Sequence, residues 1–272
     1  MLSRLRVLSL AGLLVVAGCS SSSETDSFVE APVEVLYNQA TDALLAERYV
    51  EAARLFNEVE RQHPYSVWAT RAQLMAAYAN YARDRHDEAI AALDRFIQLN
   101  PGNRDVGYAY YLRALAYYEQ IVDVGRDQAN TLSAMAAFED VIRRFPDSTY
   151  ARDARVRMDL IRDHLAGKEM EVGRFYQRRG QCTASMNRYR RVIEQFQTTS
   201  HVPEALHRLV ECSLQMGLRE EARMVAAVLG HNFPGSPWYA ESYLLLEGVD
   251  LRPAEAGSSG GVVSWLTRLW PF

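Results

Sequence analysis

Apolar and small residues recur along this chain in one internal phase. Five segments align without gaps, at residues 51–64, 88–101, 133–146, 184–197 and 221–234. Each carries a small residue near its start: Ala52, Ala89, Ala134, Ser185 and Ala222. Four positions on stands Phe56, Leu93, Phe138, Tyr189 or Ala226. A spacing of four places both residues on one helical face, so each segment reads as an α-helix with a single buried stripe. A proline lies at the end of every segment except the fourth, where Gln197 replaces it. The small residue lets a second helix approach closely, the bulky one fills the space beside it, and proline stops the helix. Counting back twelve from the small residues gives Ala40, Ala77, Gly173 and Val210, which predicts a preceding helix in each unit. In the third unit the equivalent is Ala114, and about eight extra residues fall before the second helix.

Small residue, bulky residue and closing proline at these offsets resemble the second helix of a tetratricopeptide (TPR) repeat. The expected fold is all-α: a TPR solenoid of five helix pairs over residues 33–248, with halves 33–146 and 147–248. The closing positions fall 37, 45, 51 and 37 residues apart. Asp123-Val124-Gly125-Arg126-Asp127-Gln128 accounts for the insertion in repeat three. Repeat four calls for a longer first helix, over 149–178, with Gly167 as a weak point. Gly180, Gly217, Glu47-Arg48-Tyr49 and Arg85-His86-Asp87 fall where first helices turn into second ones. Stacked pairs of this kind share one continuous core and enclose a concave groove.

The two ends depart from the repeats. Arg4 and Arg6 precede an apolar run at 7–16, closed by Val16-Ala17-Gly18-Cys19. That order describes a secretory signal over residues 1–18, too short for a finished membrane span. A cysteine directly after Ala-Gly resembles a lipobox, with Cys19 as the lipidated N-terminus and residues 19–32, opening on a run of serines, as a tether. Several acyl chains on one residue give a stable anchor. Ser20 in place of an aspartate favours the outer membrane and its periplasmic face. Residues 249–272 form a linker and amphipathic tail. After Gly257-Ser258-Ser259-Gly260-Gly261, Val262, Trp265, Leu266, Leu269 and Trp270 share one helical face. This tail suits a membrane or partner contact, and it suits equally a return onto the end of the solenoid.

Charge and chemistry narrow the function. Loss of Arg4 and Arg6 moves the formal net charge from −4 to about −6, which argues against nucleic acid as a partner. No His-Glu-x-x-His, phosphate loop or Gly-x-Ser-x-Gly occurs, so neither catalysis nor a metal or other cofactor is expected. The six histidines scatter, and His201 and His207 read as solvated. Cys182 and Cys212 remain as an even pair in an oxidising compartment. They form a candidate disulfide, with two buried thiols as the alternative.

Anchor and repeats together resemble the BamD (ComL) family of TPR lipoproteins. The local matches are Gln62-His63-Pro64-Tyr65-Ser66, Asp94-Arg95-Phe96-Ile97-Gln98-Leu99-Asn100-Pro101 and Asp163-His164-Leu165-Ala166. The insertion in repeat three and the long helix in repeat four match as well. The resemblance implies a non-enzymatic scaffold of the outer-membrane β-barrel assembly (Bam) complex. Its expected partners are a POTRA domain of the barrel subunit BamA, other subunits of the complex, unfolded outer-membrane proteins, and the membrane through the lipid. It implies that Asn187-Arg188 contacts BamA through the arginine, with a solvated cation beside Arg190 and Arg191 as the alternative. It also implies that the N-terminal half receives aromatic-rich signals of barrel substrates. Tyr37, Tyr78, Tyr81, Tyr108, Tyr111 and Tyr118 are the candidate groove residues, packing roles being the alternative. A different periplasmic TPR scaffold, serving envelope or cell-division complexes, is the competing function.

Overall fold

The computed structural model describes residues 31–247. The lipidation candidate Cys19, the signal segment and the tail after residue 247 lie outside the described residues. Ten helices form five pairs: α1 (Val33–Leu45) with α2 (Tyr49–Gln62), α3 (Val67–Ala82) with α4 (His86–Leu99), α5 (Val106–Tyr118) with α6 (Ala129–Arg144), α7 (Thr149–Arg178) with α8 (Cys182–Gln195), and α9 (Val202–Gln215) with α10 (Arg219–Asn232). An eleventh, α11 (Pro237–Glu247), follows them. Among the described residues no helix is long and apolar enough to cross a membrane.

The repeat positions carry the core. Ala40, Ala52, Ala77, Ala89, Ala114, Ala134, Ser185, Val210 and Ala222 are sealed from solvent, as are Phe56, Leu93, Phe138 and Tyr189. The tightest approach lies between α7 and α8. A Cβ on Gly173 would fall inside the Tyr189 ring, with Cδ1 and Cζ each at 2.9 Å. Tyr189 spends its hydroxyl on Gln177 Oε1 at 2.7 Å, so the ring cannot swing away without losing that bond.

Two kinds of turn repeat with the helices. First-to-second turns place one residue in the left-handed region: Glu47 (φ 56°), Asp84 (φ 61°), Gly180 (φ 72°) and Gly217 (φ 77°). The next N–H reaches back to the carbonyl five residues earlier, as in Arg48 to Ala43 at 2.9 Å and Gln181 to Tyr176 at 3.0 Å. This is a Schellman closure of the first helix. At the second turn Asp84 makes the reversal, Arg85 N–H closes onto Asn80 O at 3.0 Å, and His86 already opens α4. Second-to-first turns are closed by N–H to C=O bonds from Ser66, Asn103, Ser148, Thr199 and Ser236 to the residue three before. The one at Thr199 forms although Gln197 stands where the others have proline, so this turn rests on backbone bonding rather than on the proline ring. Ser66 and Ser148 also cap α3 and α7, accepting from Ala69 and Ala151 N–H at 3.1 Å.

The five pairs are followed by α11, which stands in the position of a sixth first helix and has no second helix among the described residues. Pro234-Gly235-Ser236 repeats the inter-repeat turn, and α11 packs on α9 and α10. A Cβ on Gly230 would come within 2.5 Å of Tyr239 Cε2, so α11 closes the last pair at backbone range.

Nor is Gly167 a weak point. Helix α7 runs unbroken through it, and its bare face is filled by its neighbours. A Cβ there would lie 3.3 Å from His201 Nε2 and 3.6 Å from Val124 Cγ1. Val124 belongs to the repeat-three insertion, which is also held by Lys168 Nζ donating to Gly125 O at 3.1 Å. Insertion and long helix are thus one device, the loop covering the extra turns of α7.

Gly173→Ala should lower stability by about 1–3 kcal/mol through overpacking against Tyr189. Thermal unfolding checks this, and Tyr189→Leu in the same chain should recover part of the loss, because the two positions share one space.

Candidate functional site

First helices touch one another along the stack (α1 with α3, α3 with α5, α5 with α7), while successive second helices make no comparable contact. The solenoid therefore curves with its first helices inside, and all six candidate tyrosines belong to first helices. All six are half-buried. Tyr108 and Tyr111 on α5 meet Tyr150 at the start of α7, with ring centroids 5.8 and 5.2 Å apart, the second pair stacked. Burial pushes the Tyr108 phenol well above its ordinary range, and the neighbouring hydroxyls of Tyr78, Tyr150, Tyr81 and Tyr111 add to the shift. Tyr78, Tyr81, Tyr108 and Tyr111 thus belong to one aromatic strip. Tyr118 lies at its far end, edge-on to Phe138 and beneath the Arg157 guanidinium at 5.1 Å.

The polar end of the strip is built from α5 and α7. Tyr111 Oη donates to Asp153 Oδ2 at 2.6 Å, and Arg157 Nε donates to the same oxygen at 2.7 Å. Burial, then the hydrogen bond to Asp153, pushes Tyr111 up to about 12. The same Tyr111 hydrogen bond leads the effects that hold Asp153 below its usual range.

Tyr37 stands apart, at 5.5 Å from Phe56 and 4.8 Å from Trp68. Its position exposes a regularity that the repeat pattern does not carry. Pro64-x-Ser66-x-Trp68, Pro146-x-Ser148-x-Tyr150 and Pro234-x-Ser236-x-Trp238 share one register. Each aromatic sets its ring against one on the preceding first helix: Trp68 on Tyr37, Tyr150 on Tyr111, and Trp238 on His207 at 5.2 Å. Tyr37 and Tyr111 therefore also serve to join repeats. Trp68, Tyr150, Asp153 and Arg157 touch the candidate tyrosines or their hydrogen-bond partners and were missed by sequence reasoning, although this three-fold register could have shown the first two.

In the C-terminal half, Asn187 is exposed on α8 and Arg188 is partly covered. Arg188 is not a free cation. Its Nη1 lies 3.1 Å from Glu169 Oε2, and Arg191 Nη1 lies 2.9 Å from Glu169 Oε1. Arg190 pairs separately with Glu221 at 2.6 Å.

The cysteine pair and His207 lie close together in the C-terminal half. Cys182 and Cys212 are free and buried. Cys182 Sγ is directed to Gln215 Oε1 at 2.9 Å and Cys212 Sγ to Ser185 Oγ at 3.2 Å, and the two thiols also lie within hydrogen-bonding reach of each other. Burial pushes the Cys212 thiol up to about 12, which suppresses the reactive thiolate. His207 is not solvated: it is 1% exposed, and its Nδ1 lies 2.8 Å from Ser242 Oγ on α11. Its Nε2 lies 3.4 Å from both Glu211 and Glu241. Burial alone would raise the Glu211 carboxyl, but hydrogen bonds from His207, Arg208 and Gln177 overturn this and hold it at about 2. That cluster bolts α7, α9 and α11 together. Among the described residues no cluster of His, Cys, Asp and Glu could hold a metal.

Comparison with known proteins matches residues 29–229 to the family model described as YfiO, outer membrane lipoprotein. The outer membrane protein assembly factor BamD of Caulobacter vibrioides is 51% identical over 251 residues, covering 90% of this chain and 82% of that protein. The BamD of Rickettsia prowazekii is 44% identical, covering 86% and 93%. Among solved structures, the TPR2AB domain of yeast Sti1 in its pHSP90 complex has a TM-score of 0.42 at 11% identity, covering 79% of this chain and 84% of that one. The chain belongs to the BamD (YfiO) family of outer-membrane protein assembly factors.

The Glu211 cluster generates a pH prediction. The folded carboxyl at about 2 lies below its ordinary 4.5. Its contribution is therefore complete above that ordinary value and is lost as pH falls through about 2. Discounted for partial solvent exposure, it amounts to roughly 1–2 kcal/mol. Glu211→Gln should be less stable than wild type at neutral pH, and the gap in melting temperature should close as the pH is lowered across that window.

Proposed function

We propose that this member of the BamD family is a lipid-anchored receptor and scaffold of the outer-membrane β-barrel assembly machinery. It is held at the periplasmic face of the outer membrane through acylated Cys19. The concave strip around Tyr108, Tyr111 and Tyr150 is the observation that carries the reading. Half-buried rings in a row along first helices offer stacking faces to the aromatic side chains of an extended segment, and their phenols offer hydrogen bonds to its backbone. Barrel precursors, with alternating apolar residues and aromatic girdles, present such segments before they close. The strip lies in the N-terminal half and at the start of α7. The Asn187-Arg188 dipeptide lies on α8, so substrate capture and BamA contact occupy separate regions of one solenoid.

Arg188 has the chemistry to pair with an acidic residue of a BamA POTRA domain. Its bond to Glu169 uses one donor and leaves the rest of the guanidinium fork available for a bidentate contact. The lipid at Cys19 keeps both surfaces near the membrane, where insertion takes place.

Depletion of the protein should lower the outer-membrane level of β-barrel proteins, and unchanged levels would defeat the reading. Arg188→Glu should reduce co-purification of BamA about tenfold or more with helical content unchanged, since it sets like charges against Glu169 and against the acidic partner. Cys19→Ala should move the protein out of the outer-membrane fraction, and mass spectrometry should find acyl mass on the wild-type N-terminal residue and none on the variant.

A further inference from the structure

Helix α11 is apolar around its whole circumference, with Glu241, Ser242 and Glu247 as its only polar residues. A helix of that kind is ordinarily covered on every side. Its inner face is covered. Trp238, Tyr239 and Leu246 pack on clusters built by α9 and α10, and Ser242 meets His207. Its opposite face carries Ala240, Tyr243 and Leu244, at the i, i+3, i+4 spacing of one stripe, and Tyr243 is 54% exposed. Counted from the closing position of each repeat, Ala240 stands where Gly107 does, Tyr243 where Gln73 and Leu206 do, and Leu244 where Leu74 does. Gly107 faces Phe145 at the end of α6. Gln73 Oε1 accepts from Asn100 Nδ2, at the end of α4, at 3.2 Å. Leu74 is buried in one cluster with Leu93 and Phe96 of α4, and Leu206 lines a groove with Met224, Val225 and Val228 of α10. In each case the neighbour is the second helix of the same pair, which α11 lacks among the described residues. This face also lies past residue 229, where the family match ends, so membership of the family assigns it no role.

We propose that residues 262–272 of this chain fold back onto α11 and cover this face, standing where the second helix of a sixth pair would stand. The segment is as long as α11, eleven residues, and its apolar positions Val262, Trp265, Leu266, Leu269 and Trp270 share one helical face. Residues 248–261 join the two. As a flexible coil they span about 20 Å, against the 8–10 Å that separates packed helix axes, so the return needs no strain. Repeat three already tolerates a long connection, residues 119–128, between α5 and α6. Two tryptophan rings laid on Tyr243 and Leu244 remove the largest apolar areas left open on both partners. Arg268, the one charged side chain of residues 262–272, is opposite in sign to the exposed Glu241 and Glu247 of α11. A single cation gives an anionic lipid surface little to attract, whereas the linker holds α11 at an effective concentration on the order of millimolar.

Amide hydrogen exchange on the full mature chain, carrying Cys19→Ala so that it stays in aqueous buffer, tests this. Trp265→Ser with Trp270→Ser should speed exchange in α11 about tenfold and leave α1 to α6 unchanged. The melting temperature should fall by about 2–4 °C. Tyr243→Ser should do the same from the other side of the contact. All three substitutions together should cost little more than either set alone, because both sets remove one contact. The tryptophans lie outside the repeats, so their loss leaves the solenoid able to fold, and helical content confirms it. If α11 exchanges equally fast with and without the tryptophans, the tail does not cover it and the proposal is wrong. If protection of α11 grows with protein concentration, a second copy covers the face instead. If vesicles of phosphatidylethanolamine and phosphatidylglycerol protect residues 262–272 while α11 exchanges as it does in the tryptophan variant, the tail belongs to the membrane. Either result overturns the intramolecular contact.

Discussion

Two helices come to backbone range only where nothing larger than a methyl group stands between them, and the rest of this solenoid is arranged around that requirement. Ala40 against α2, Ala77 against α4 and Gly173 against α8 set the separation within each pair. Phe56, Leu93 and Tyr189 then have one space to fill. Once pairs have a fixed width, the turns between them can be uniform. The Schellman closures recur at four of the five turns within pairs, and the bond from a turn N–H to the carbonyl three before recurs between pairs. The curvature follows from the same narrowness, with first helices in contact inside and second helices spread outside.

Much of this was legible in the sequence, because close approach leaves a compositional trace. A small residue followed four later by a bulky one located four of the five second helices, Ala226 standing at the bulky position of the fifth, and the extent of α7 could be read from where its turns had to fall. Misreadings arose where one residue type serves two purposes. Gly167 looked like a helix breaker, yet it is the hollow that receives Val124 and His201. His207 looked solvated because a lone histidine carries no periodic signal, and its partners Ser242 and Trp238 lie on a helix outside the five-repeat pattern. That helix had announced itself in Pro234-Gly235-Ser236, a turn whose meaning appears only beside its two earlier copies.

The candidate sites were legible to a lesser degree. Tyrosine spacing along α5 pointed to the strip and the register shared with Trp68 and Trp238 marks Tyr150, but Asp153 and Arg157 come from another repeat and no local pattern links them to α5. For Arg188 the sequence supplied the cation and not its counterion, since Glu169 lies on the preceding helix and meets it only after α7 and α8 pair. Charges on this surface mostly have internal partners. What distinguishes the surroundings of Arg188 is a carboxylate shared with Arg191 rather than an unpaired cation.

The thirty-residue α7 carries residues of both candidate surfaces: Asp153 of the aromatic strip near its start and Glu169, shared by Arg188 and Arg191, past its middle. Sixteen residues of helix separate the two by roughly 24 Å, and each residue also turns the helix by about 100°. Distance and azimuth are therefore locked together as on a screw thread. A single inserted residue would swing one surface a quarter-turn and more away from the other while lengthening the rod by only about 1.5 Å. Phase returns only after about seven residues, roughly 10 Å farther on, so the spacing between the two surfaces can change only in steps of that size.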